Sequence, residues 1–127
     1  MKKVISALTL GVLILGAPNA NAHAILTDAF PKPKSVVSAL PQKIWVEFDG
    51  NLIVLTGKKT NYLLLTDSKG KTIPRLNSYV GGARLTIEIA PNAMIGKVIE
   101  TWRVVSEDGH PVTGSTYFVI NPKNSRK

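Results

Sequence analysis

The sequence predicts an all-β domain, an antiparallel, Ig-like β-sandwich of about seven strands. Three observations predict it. Apolar and polar residues alternate in short runs, and turn residues separate those runs at roughly ten-residue spacing. Beyond the N-terminal leader, no stretch has an apolar stripe of helical period.

The elements follow in chain order. Residues 1–22 read as a cleaved secretory signal. Lys2 and Lys3 supply the charged start, Val4 to Ala17 an apolar run, Pro18 a helix break, and Ala20-Asn21-Ala22 the small residues of a cleavage site. The apolar run is shorter than the roughly 20 residues of a membrane-spanning helix. A cut after Ala22 makes His23 the mature N-terminus, whereas the alternative register, after Ala24, discards that histidine. The mature domain then runs over 23–120, and the polar segment 121–127 is expected to fray.

Within the domain, Pro31 and Pro33 restrict the first segment to a sheet edge or a loop. Ile44, Val46 and Phe48 share one strand face, with Trp45 and Glu47 on the other. Leu85, Ile87 and Ile89 alternate with Arg84, Thr86 and Glu88, and Trp102 and Val104 with Thr101, Arg103 and Val105. Thr116, Phe118 and Ile120 alternate with Tyr117 and Val119. Trp102 is therefore expected in the core and Trp45 partly exposed. Arg103 is expected to pair with Glu47 or Glu100, or to orient Asp108. Asp49-Gly50-Asn51, Ser68-Lys69-Gly70, Gly81-Gly82 and Asp108-Gly109 supply the reversals.

The chain has 16 basic and 8 acidic residues, a formal charge of +8. Loss of Lys2 and Lys3 leaves 14 basic residues against 8 acidic, about +6. Such a charge favours acidic partners, but the basic residues are scattered and no aromatic-interleaved patch points to nucleic acid. A monomer is expected. With no cysteine, disulfides and thiolate metal sites are excluded, and any metal must be bound by nitrogen and oxygen. Met94 is the one thioether of the mature chain.

The domain has two histidines, His23 and His110. The second lies in "SEDGHPVTG", residues 106–114, two positions after Asp108. In an extended segment such residues project to one side. A free N-terminal histidine offers its α-amine and its ring Nδ1 to one ion in a single six-membered chelate. His110 adds a third nitrogen, and the Asp108 carboxylate completes a plane. Three nitrogens and an oxygen in a tetragonal plane suit Cu(II), and zinc, which prefers a tetrahedron, is the competitor. On the residues alone, a plain Asp-Gly-His-Pro turn with a solvated histidine is the other reading.

Three blocks of the chain resemble the CopC family of exported copper-binding proteins. "HAILTDAFPKPKSVV" is similar to the family's opening, and "LPQKIWVEFDGNL" to its Pro-x-x-(Ile/Val)-x-(Leu/Val)-x-Phe strand. "TWRVVSEDGHPVTGSTYFVI", residues 101–120, resembles Trp-Arg-x-Val-Ser-x-Asp-x-His-Pro-(Val/Ile)-x-Gly almost position by position. The resemblance implies a small Greek-key β-barrel or cupredoxin-like sandwich that holds Cu(II) in the periplasm. It carries the ligand roles onto the amine and ring of His23, the carboxylate of Asp108 and the ring of His110. It further implies a non-catalytic carrier or buffer of one Cu(II), with a CopD-like membrane transporter as partner. Two departures stand out. Met94 alone implies no Cu(I) methionine site, and Gly50 stands where many relatives have a glutamate. Asp49, beside it, is expected to point the other way. The alternatives are an oxidative copper enzyme resembling lytic polysaccharide monooxygenases and a metal-free interaction module. Asp108 in the copper plane speaks against the first, since it fills the position oxygen needs.

Overall fold

A computed structural model describes residues 24–125 of the 127-residue chain; the leader and His23 lie outside the described residues. Eight strands occur in the order β1 (Leu26–Phe30), β2 (Val36–Val37), β3 (Lys43–Phe48), β4 (Tyr62–Asp67), β5 (Arg75–Gly81), β6 (Arg84–Ile89), β7 (Gly96–Val105) and β8 (Pro111–Ile120). They form two four-stranded sheets, ordered β1-β3-β6-β5 and β2-β8-β7-β4. All pairs are antiparallel except β2 with β8. The all-β sandwich is as predicted, with one strand more than expected, because a two-residue strand such as β2 is too short to show a period. β1 takes an edge, where the prolines beyond its end cost no ladder hydrogen bond.

The alternating residues build one core between the sheets. Ile44, Val46 and Phe48 of β3 and Leu85, Ile87 and Ile89 of β6 face Leu63 and Leu65 of β4, Val98, Trp102 and Val104 of β7, and Phe118 and Ile120 of β8, all buried. Each such side chain contributes about 1.5–3 kcal/mol on burial, which is what holds a cysteine-free domain together.

Trp102 is in this core, as expected, edge-on to Phe48 with ring centroids 6.0 Å apart. Its cross-strand partner is Gly114, and a Cβ placed there would lie 2.5 Å from Trp102 Cζ2. The glycine leaves room for the indole to lie across its strand. Gly114→Ala is therefore expected to cost about 1–3 kcal/mol by overpacking, read as a lower urea midpoint and an altered Trp102 emission.

Trp45 is half-buried on the outer face under the Arg84 guanidinium, 3.7 Å from its ring centroid, and Arg84 also pairs with Glu47 at 3.4 Å. That occupies the partner expected for Arg103. Arg103 instead donates to the Thr60 carbonyl at 3.4 Å. Glu100 is unavailable to it because residues three apart on a strand project to opposite faces.

Glu100 is the anomaly of the core. It sits on the inner face of β7 between Val98 and Trp102, flanked across the sheet by Leu65 and Thr116. Its exposure is 0% and neither carboxylate oxygen has a hydrogen-bond partner. Burial pushes its carboxyl up to about 8.

Of the polar segment expected to fray, residues 121–125 are described, and they include the 3-10 turn Pro122–Ser125. The Asn121 amide donates to the Val37 carbonyl at 2.8 Å, and the Asn124 side-chain amide to the Val36 carbonyl at 3.3 Å.

Candidate metal centre

The segment that joins β7 to β8, residues 106–110, is a tight reversal closed by the Gly109 amide donating to the Ser106 carbonyl at 2.9 Å. Gly109 has φ of +80°, the left-handed region in which a Cβ is strained. Asp108 and His110 thus converge through a turn, where the sequence suggested an extended segment. Asp108 Oδ1 accepts the His110 amide at 3.0 Å and the Ser106 hydroxyl at 2.8 Å. Its second oxygen lies 3.4 Å from His110 Nδ1.

These bonds set the electrostatics. The His110 amide first, and then the Ser106 hydroxyl, hold the Asp108 carboxyl below the usual carboxylate range. It is an anion at neutral pH. The His110 side chain is 74% exposed and open to an ion from solution. Two donor atoms 3.4 Å apart can both lie about 2 Å from one metal. Asp108 builds the turn with one oxygen and has the other beside the His110 ring.

Among the described residues no third His, Asp or Glu joins this pair. His23, the remaining predicted ligand, lies outside them. The residues that follow it are well defined. Ala24 is buried in the core cluster. The Ile25 amide donates to Asp49 Oδ1 at 3.0 Å, and the Asp49 amide donates back to the Ile25 carbonyl at 2.9 Å. From Asp49 the chain runs to Leu52, which bridges Ser106, and the Ile53 amide donates to the Val105 carbonyl at 2.8 Å. The start of β1 and the Asp108–His110 turn therefore share one end of the sandwich.

Two residues of this end escaped the sequence reading. Asp49 was expected to point away. It does lie on the exposed side of Phe48, yet its carboxylate holds the backbone at the start of β1. Ser106 is buried and anchors the Asp108 carboxylate. The Asp108 carboxylate accepting the amide two residues on is an Asx turn, readable from Asp-Gly-His, whereas no such pattern marks Ser106. No local pattern pointed to Asp49, whose partner is 24 positions away.

Comparison with known proteins agrees with this architecture. The CopC domain model matches residues 26–121. Copper resistance protein C of Escherichia coli is 34% identical over 123 residues, covering 90% of this chain and 94% of that protein. Protein YobA of Escherichia coli K12 is 28% identical over 120 residues, covering 90% and 91%. Among solved structures, CopC from Methylosinus trichosporium OB3b superposes with a TM-score of 0.67 at 26% identity, covering 78% of this chain and 94% of that one. PcoC, a methionine-rich copper resistance protein from Escherichia coli, gives a TM-score of 0.64 at 29% identity, covering 79% and 100%. The chain belongs to the CopC family, whose members are copper-binding resistance proteins and not enzymes.

Proposed function

We propose that this protein is a periplasmic copper carrier or buffer that holds one Cu(II) once residues 1–22 are removed. The ligands are the α-amine and ring Nδ1 of His23, the carboxylate of Asp108 and the ring of His110. The observation that carries this reading is the pairing of an ionised Asp108 with an exposed His110 ring 3.4 Å away. The shared location of that turn and the start of β1 supports His23 as the third residue. Three nitrogens and one oxygen favour Cu(II) over other divalent ions. Met94 packs against the core as the one methionine after the leader, which supports a site without Cu(I) methionine ligation. The family's copper chemistry and the mature charge of about +6 support delivery to a CopD-like membrane transporter.

The test is a Cu(II) titration of the processed protein followed by electron paramagnetic resonance. One equivalent is expected to give a single tetragonal, nitrogen-rich signal. His110→Ala is expected to remove one nitrogen from that signal and weaken binding by more than about 100-fold, more than the loss of an outer-shell partner costs. An unchanged signal in His110→Ala would overturn the ligand assignment. The affinity is also expected to fall as the medium is acidified. Protons compete for the amine below about pH 7.7–8 and for imidazole below about pH 6.5.

A further inference from the structure

The side of the sandwich opposite β1 and β2 is open. β5 ends one sheet and β4 ends the other, and it is β6 that faces β4. The inner face of β5 therefore has no strand across from it and looks onto the connection formed by residues 53–61. By register with Ile89, Ile87 and Leu85, the inward positions of β5 are Arg75, Ser78 and Val80. On a covered sheet these positions would be apolar, and here two of the three are polar. Between β5 and the connection lies a groove of about 450 Å³.

Its charge is one-sided. Lys58 and Lys59 on the connection and Arg75 on β5 line it, and among the described residues none of them pairs with a carboxylate. This contrasts with the outer face of the same sheet, where Lys43 is matched to Glu88 and Arg84 to Glu47. The Arg75 guanidinium is held at the groove by donating to the Leu63 carbonyl at 3.2 Å. Val54 and Val80 supply apolar lining, and Val54 is exposed at 65%. β5 is an edge strand, and its outward Ser78 amide is bonded to Asn77 Oδ1 at 2.9 Å.

We propose that the groove between β5 and the 53–61 connection docks an acidic, extended peptide segment of a partner protein. Its carboxylates meet Lys58, Lys59 and Arg75, and its apolar side chains cover Val54 and Val80. The apolar lining of Val54 and Val80 beside the three cations favours a peptide over a small dicarboxylate, because a small anion would use the cations alone. The site shares no residue with the copper ligands, so its failure would leave the copper reading untouched.

The probe is a fluorescein-labelled hexapeptide alternating glutamate and leucine, compared with the same peptide carrying glutamine for glutamate. The acidic peptide is expected to bind, to shift backbone amide resonances confined to residues 54–60 and 75–80, and to weaken as salt is added. The double variant K58E/K59E is expected to lose at least about tenfold in affinity, as removal of two charge contacts implies. Both lysines are exposed, and an unchanged urea midpoint shows that the variant is folded. Four results would overturn the proposal: no binding, equal binding of the glutamine peptide, equal binding by K58E/K59E, or glutarate reproducing the same shifts at matched concentration. The last would make the groove a small-anion site.

Discussion

The protein beginning at His23 is expected to bind one Cu(II), and the same chain with one N-acetylated alanine added before His23 is expected to bind more than about 100-fold more weakly. The threshold is set by outer-shell partners, whose loss alone costs 10–100-fold, whereas the added residue removes a primary donor. A free α-amine sheds its proton near pH 8 and becomes a ligand. An amide nitrogen in the same place has its lone pair in resonance with the carbonyl and is not a comparable donor. His23 would keep its ring in both proteins, so the difference isolates the amine. The added alanine precedes Ala24 and the Ile25–Asp49 bonds that begin the ordered fold, so the copper-free stabilities should match. A thermal scan gives a second readout. Copper at a hundred times its Kd stabilises by about 2.7 kcal/mol, and that gain should be confined to the unextended protein. Equal affinity and equal thermal gain in both would reject the dependence on a free His23 amine.

How much of this was legible in the sequence depended on range. β3, β6, β7 and β8 announce themselves because each carries a strict period of two over one buried face, and the Asp108–His110 pair is two positions apart. β5 is less visible. A register shift between Arg75 and Asn77 breaks its period, and Leu76 and Tyr79 are exposed. The bond between Asp49 and Ile25 is a matter of strand order, which local pattern does not encode. Glu100 is the most instructive miss. The alternation of Trp102 and Val104 extends back to Val98 and makes residue 100 an inward position. A charged residue there made the strand look as though it began at Thr101. The periodicity was right, and the composition argued against following it.

That inward glutamate has the second large consequence. The stability of Glu100→Gln relative to the parent protein is expected to rise by about 3 kcal/mol between pH 4.5 and pH 7. The cause is the carboxyl's position among Leu65, Val98 and Trp102 with no donor for either oxygen, which pushes it up to about 8 from an ordinary 4.5. The sign follows from linkage. With the folded value raised, the folded state binds the proton more tightly, so stability is full below about pH 4.5 and is lost progressively as pH rises to about 8. Glutamine has nearly the same volume and no titration, so its own cost of burying an amide is constant with pH and cancels from the slope. Urea unfolding of the two proteins between pH 4.5 and 8 reads the difference directly. At about 4 °C per kcal/mol, the difference between the two thermal midpoints should change by about 12 °C between pH 4.5 and pH 7. Parallel stability curves would show that Glu100 finds a partner or water in solution. If they diverge as expected, the apo fold weakens over the same interval in which the His23 amine becomes free to bind Cu(II). Copper binding would then offset the loss by mass action, and the metal-free protein would be least stable under the conditions that favour loading. The full-strength copper gain and the Glu100 cost are of similar size, so the Glu100→Gln protein should show a much smaller dependence of its survival at pH 8 on bound copper.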